Sequence, residues 1–275
     1  MFSVLWKTTV IAAVTSGVAF AECEGDNEAC EIASGTYHIQ LPENHSENTP
    51  TVFFLHGYGS SGQASMRNKR IAEPLLERGY AVIAPNALKR PGRNARAWNF
   101  HPEFHHERDE ASFFKDVKDD AVKRFGINQD NMMLAGFSIG GSMTAYIACS
   151  YPSLFKAYAP VSGNFWRPHP TECKAPVKLF HTHGWRDSTV PLEGRHITEE
   201  FQQGDAFYAM NIWRQANLCV QPRANKFSTT GQFMRRKWTD CDPNSALEFA
   251  LFPGGHTVPE GWAGMVLDWA EKLPE

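Results

Sequence analysis

Short apolar runs alternate along this chain with longer segments of helical spacing, and that alternation restricts the fold more than any other feature. The runs at 51–55, 81–84, 132–135, 157–161, 177–181 and 247–252 are bounded by glycine, proline or polar residues. Runs so brief and continuous read as strands buried on both faces. Between them, segments 67–79, 109–126, 140–151 and 259–273 space apolar residues three and four apart. Gly79 and Gly126 serve as helix stops and Asp109 as an N-cap. Strand and helix in alternation predict an α/β fold: a mainly parallel sheet with helices on both faces. No repeat, low-complexity linker or charge block divides the chain, so residues 22–275 read as one domain. Two irregular stretches interrupt the pattern. Segment 88–108 reads as a long loop bearing Trp98, His101, His105 and His106, and segment 194–242 as helical at first and then loop-rich.

The start of the chain points to export. Lys7 precedes a weakly apolar run, and Ala19-Phe20-Ala21 supplies the small-x-small pattern at which signal peptidases cut. Residues 1–21 therefore read as a signal peptide, and the mature protein is expected to be secreted or periplasmic. No stretch approaches the roughly 20 consecutive apolar residues of a membrane helix, so no membrane partner is expected. A net charge of −3 gives no basic surface for nucleic acid, and 42% hydrophobic residues exclude the disordered classes.

All six cysteines, Cys23, Cys30, Cys149, Cys173, Cys219 and Cys241, follow the cut. An even number in an exported chain reads as disulfides. Spacing alone does not choose among the pairings; neighbour with neighbour is the working hypothesis. No C-x-x-C pair is present, which weakens zinc and redox readings.

The sharpest chemical signal is Gly136-Phe137-Ser138-Ile139-Gly140, directly after one predicted strand and directly before a predicted helix. A serine on such a strained turn is presented at the carboxyl edge of the sheet, and small flanking residues let strand and helix approach closely. A serine hydroxyl is a poor nucleophile until a base takes its proton and a third group orients that base. In folds with this turn the chain order is Ser, acid, His. Asp187 and His256 each follow a later predicted strand, on the edge that carries Ser138. Asp187 is read as the orienting acid and His256 as the base. Asp205, Asp240 and Asp242 lack a preceding buried strand; His181 and His183 precede Asp187 and so break the order. His56-Gly57-Tyr58-Gly59 follows the 51–55 strand, and the backbone N–H groups of Tyr58 and Ile139 are the expected oxyanion donors.

Trp98, Trp166, Trp185 and Trp262 follow predicted strands and are candidate substrate walls. Trp185 and Trp262 are favoured, being close in sequence to the proposed acid and base. Histidines at the spacing of His101, His105 and His106 bind zinc in some proteins, but no cysteine is near and serine chemistry needs no metal. No metal or cofactor is assigned, and Asn44-His45-Ser46 matters only where a host glycosylates it.

Together these residues resemble the exported α/β-hydrolase esterases grouped with polyhydroxybutyrate depolymerases, acetylxylan esterases and feruloyl esterases. The landmarks are Leu55-His56-Gly57, segment 109–141, Ala159-Pro160-Val161-Ser162-Gly163, His183-Gly184 with Asp187 and Val190-Pro191, and Gly254-Gly255-His256-Thr257. The likeness spans nearly the whole mature chain. It implies the α/β-hydrolase fold, with Ser138, Asp187 and His256 at the triad positions and hydrolysis of carboxylic esters without metal or organic cofactor. It also implies pairing of Cys149 with Cys173 and of Cys219 with Cys241. Many relatives carry Asn after the serine and Cys within the H-G-x-G loop, where this chain has Ile139 and Tyr58. Backbone donors survive either change, while pocket shape and polarity need not. A separate polymer-adsorbing domain, frequent in depolymerases of solid polyester, is not seen, so the expected partner is a small-molecule or oligomeric ester. Two alternatives stay open: a transferase or peptidase using the same acyl-enzyme, and a binding protein that kept the scaffold without turnover.

Overall fold

The computed structural model describes residues 23–104 and 107–274; the proposed signal peptide, His105 and His106 lie outside the described residues. A ten-stranded sheet organises the chain, in the order Gly25–Ile32, Gly35–Gln40, Ala81–Pro85, Thr51–Leu55, Met132–Phe137, Ala157–Val161, Lys178–Gly184, Ala246–Phe252, Phe233–Trp238 and Lys226–Thr230. From Ala81–Pro85 to Ala246–Phe252 every neighbouring pair is parallel. Antiparallel pairs flank this centre on both sides.

The continuous apolar runs follow from a sheet covered twice. Side chains alternate across a strand, so Phe53 and Leu55 enter one core with Leu134, Leu179 and Phe249. Val52 and Phe54 enter the other with Val82, Met133 and Phe180. Helices Glu110–Phe125, Ile139–Ser150 and Ala206–Ala216 cover the first face. Gly62–Met66, Ala72–Glu77 and Trp262–Ala270 cover the second.

Helix ends follow local chemistry. The Asp109 carboxylate accepts from Ser112 N–H at 2.8 Å, and Gly126 ends the same helix at φ 64°. Segment 67–79, expected as one helix, is helical only over Ala72–Glu77, and a separate short helix before it ends at Met66. Pro74 gives the reason. In the first turn its missing N–H costs nothing, whereas deep in a helix begun at 67 its ring would strike the carbonyl of residue 70. Segment 194–242 also differs from expectation, because its second half forms the edge hairpin Lys226–Thr230 and Phe233–Trp238. Three disulfides join Cys23 to Cys30, Cys149 to Cys173 and Cys219 to Cys241.

Candidate active site

Ser138 stands between the strand Met132–Phe137 and the helix Ile139–Ser150 with φ 59° and ψ −124°. A residue other than glycine held there stores on the order of 1–3 kcal/mol of strain, so its surroundings must fix it. Ser138 N–H donates to the Val161 carbonyl at 2.9 Å, and the Ser138 carbonyl accepts from Ser142 N–H at 2.9 Å. Close backbone contact completes the turn. A Cβ at Gly136 would lie 2.4 Å from the Gly140 carbonyl oxygen, and one at Gly140 would lie 2.2 Å from that of Leu55.

The strands Lys178–Gly184 and Ala246–Phe252 run parallel to the serine's strand and end on the same edge. Asp187 follows the first and His256 the second. Ser138 Oγ lies 2.9 Å from His256 Nε2, and His256 Nδ1 lies 2.7 Å from Asp187 Oδ2. A carboxylate on Nδ1 requires the proton there, which leaves the Nε2 lone pair to accept from the serine hydroxyl. The Phe137 ring packs on the imidazole at 4.6 Å between centroids. The second oxygen of Asp187 accepts from Thr189 N–H at 2.9 Å and Val190 N–H at 2.8 Å. Burial pushes the Asp187 carboxyl up, but the hydrogen bonds from His256 and Val190 outweigh it and hold the group below the ordinary carboxylate range. The arrangement is able to withdraw the serine proton and keep the imidazole in one orientation.

The competing residues do other things. Asp205 caps a helix through Tyr208 N–H, and Asp242 accepts from Asn244 N–H in a turn. Asp240 offers its carbonyl to Val220 N–H. His181 and His183 form a buried pair with His181 Nε2 3.0 Å from His183 Nδ1. His183 Nε2 lies 2.8 Å from the Val190 carbonyl and 3.7 Å from Asp187 Oδ2. Burial lowers the pKa of both imidazoles. Neutral His183 then donates from Nε2 and accepts from His181 at Nδ1, so it ties down the loop that holds Asp187. Sequence reasoning passed over this role; two histidines at i and i+2 on a strand that leads into the acid were the available signal.

The glycine loop before Tyr58 is anchored from behind. His56 Nδ1–H donates to Gly57 O at 2.7 Å, while Nε2 accepts from Ala87 N–H at 3.1 Å. Burial pulls the His56 pKa down to about 4, so this ring is neutral. Gly59 N–H donates to Arg96 O at 2.9 Å. Trp98 must be reassigned: it is fully buried, and its indole N–H donates to the His56 carbonyl at 2.9 Å, so it supports the loop from the core. Trp262 is also core, packed edge-on against Phe54 at 5.6 Å. Trp185 projects outward, 58% exposed, and lines neither cavity at Ser138. Of the four tryptophans, Trp166 alone lines one of them.

Two cavities meet at the serine. The larger, about 830 Å³, is bounded by Tyr58, Ser138, Ile139, Phe100, Phe104 and Trp166. The smaller, about 430 Å³, is bounded by Tyr58, Ser138, His256, Thr257 and Val258. His101 is buried behind the larger one, with its ring 5.3 Å from Phe104 and 5.7 Å from Phe201. Among the described residues no group of three or more His, Cys, Asp or Glu is arranged to hold a metal ion. No helix of the described residues is long and apolar enough to cross a membrane.

Proteins similar to this chain include several that are named esterases. The model of the phospholipase/carboxylesterase family matches residues 38–206. A probable feruloyl esterase C of Aspergillus clavatus is 25% identical over 263 residues, 89% of this chain and 86% of that one. A bifunctional acetylxylan esterase/xylanase of Neocallimastix patriciarum is 25% identical over 154 residues, 56% of this chain and 21% of that protein, so the chain spans about a fifth of that relative. Among solved structures, the acetyl xylan esterase of Aspergillus awamori matches with a TM-score of 0.63 at 15% identity, covering 86% of this chain and 93% of that one. That last likeness speaks to the fold, and the family match covers well over half of the chain. The chain therefore belongs to the phospholipase/carboxylesterase family, carboxylic ester hydrolases of the α/β-hydrolase fold.

Proposed function

We propose that the protein is an exported serine esterase working through an acyl-enzyme on Ser138. The observation that carries this reading is His256 standing between hydroxyl and carboxylate, 2.9 Å from Ser138 Oγ and 2.7 Å from Asp187 Oδ2. Ser138 attacks the ester carbonyl as His256 takes its proton. The oxyanion forms beside the backbone N–H groups of Tyr58 and Ile139, where fixed donors are worth several kcal/mol in the transition state. His256, held by Asp187, returns the proton to the leaving alcohol, and water releases the acid by the same steps reversed. Feruloyl or acetyl esters of soluble polysaccharides, or hydroxyalkanoate oligomers, are the proposed substrates; the relatives' names support the first two. Residues 1–21 are the proposed export signal, and three disulfides fit an oxidising compartment.

The test is a panel of short-chain nitrophenyl esters, methyl ferulate, acetylated xylan and hydroxybutyrate oligomers, run with the wild type and Ser138→Ala. Turnover by the wild type and none above background by the variant is the expected result, with a fluorophosphonate labelling the wild-type serine. Ester hydrolysis persisting in folded Ser138→Ala removes the mechanism.

A further inference from the structure

The two cavities at Ser138 take different halves of the ester. His256 must hand its proton to the leaving alcohol, so the alcohol belongs on the side that His256 lines, the smaller cavity. The larger cavity contains Ser138 and Ile139 but not His256, which leaves it for the acyl group. This division rests on the serine-esterase reading above.

The acyl cavity carries a charge pattern that a neutral acid does not use. Lys89, Arg90, Arg93 and Arg195 line it, against the carboxylates of Glu103 and Glu107. Among the described residues none of these four cations forms an ion pair with a carboxylate. A cationic cleft on a chain of net charge −3 is a local feature, and fields of one sign focus in clefts. Three of the cations sit on one small hairpin, where Leu88–Lys89 pairs with Arg96–Ala97 and Arg90 N–H donates to the Ala95 carbonyl at 2.9 Å. The Arg90 guanidinium carbon lies 5.4 Å from the centroid of the Phe104 ring. Arg90 Nε is buried and has no hydrogen-bond partner among the described residues. Beside it Phe104 packs edge-on against Phe100 at 5.2 Å and Phe201 at 5.1 Å, an apolar floor suited to a flat acyl body.

We propose that this cavity selects acyl groups that end in an anion: the preferred substrates are half-esters of dicarboxylic acids, with the ester over Ser138 and the free carboxylate at Arg90. A guanidinium matches a carboxylate in shape and charge, and such hydrogen bonds are stronger than neutral ones. The chemistry is unchanged. The Ser138 Oγ–acyl bond forms as the alcohol leaves with the proton from His256, and water then yields the diacid.

The test compares monoethyl terephthalate with its carboxamide analogue, ethyl 4-carbamoylbenzoate, which share ring and scissile bond and differ in charge. After each rate is divided by that of alkaline hydrolysis, kcat/KM is expected to be about tenfold higher for the carboxylate. Most of that ratio disappears in Arg90→Gln and when salt is raised to about 0.5 M. Inhibition of 4-nitrophenyl acetate hydrolysis by benzoate, set against benzamide, reads the same subsite when neither ester turns over. The inference falls if the wild type shows no preference for the carboxylate in either measurement. It falls equally if the preference survives Arg90→Gln. A wild type that prefers the neutral ester while Ser138→Ala is inactive sinks this inference alone; activity in Ser138→Ala sinks the mechanism beneath it.

Discussion

Asp187 carries the heaviest constraints of any single residue here, since both its oxygens are engaged and its charge must survive burial. Its lowered carboxyl pKa gives stability that is present in full above the unfolded carboxyl value. That stability is lost as pH falls through the lower folded value. Asp187→Asn is accordingly expected to flatten the acid side of a stability curve measured by denaturant titration below about pH 4. The same substitution is expected to cut kcat by about 10⁴-fold, because an amide imposes the wrong imidazole tautomer. His183 makes a finer prediction. Gln has its amide nitrogen where His183 has Nε2 and keeps the bond to Val190, while Asn reaches only His181. His183→Asn should lower kcat about tenfold with KM unchanged, and His183→Gln should recover most of it; equal kinetics in the two variants would remove the tether from the mechanism. Ser138, Asp187 and His256 were legible because a motif and chain order point to them. Trp98, Trp262 and His183 were not, because burial and hydrogen-bond partners depend on which distant elements pack on them.

At the scale of elements, the turn around Ser138 works only where strand and helix touch backbone to backbone. Gly140 is the sensitive point: a Cβ there would meet the Leu55 carbonyl oxygen at 2.2 Å and that of His56 at 2.7 Å. Neither atom belongs to a flexible side chain, so relief means moving the helix away from the strand that leads into the Tyr58 loop. Gly140→Ala is expected to cost about 1–3 kcal/mol in chemical denaturation and to lower kcat along with it. A variant of wild-type stability and rate would show that this contact yields freely. The central strands were readable because a strand buried on both faces must be apolar throughout. The edges were not. Lys226–Thr230 is mostly exposed, and Phe233–Trp238 buries only its ends, so neither carries the apolar run of a core strand. Gly231, at φ 54° between them, was the one local sign of a hairpin.

On the scale of the whole molecule, parallel strands explain how three side chains far apart in sequence meet. Each strand of the parallel centre ends on one edge, so residues just beyond Phe137, Gly184 and Phe252 share a rim whatever the strand order. The rim follows from the sequence pattern alone, whereas the lateral distances between its residues are set by sheet order. The disulfides hold the periphery of this design. Cys149 lies in the helix that begins after Ser138, and its bond to Cys173 spans 24 residues, against 7 for Cys23 and Cys30. If chain entropy is the main term, the longer loop is worth about 3.4 kcal/mol and the shorter about 2.4 kcal/mol. For a chain of this size each kcal/mol moves the melting temperature by roughly 2–4 °C. The double variant Cys149→Ser/Cys173→Ser should therefore melt about 7–14 °C below the wild type, and Cys23→Ser/Cys30→Ser a few degrees less far below, in matched calorimetric scans. The opposite ranking would mean that native packing near the amino-terminal bridge, where Cys30 is wholly buried, outweighs loop length in setting the stability of this fold.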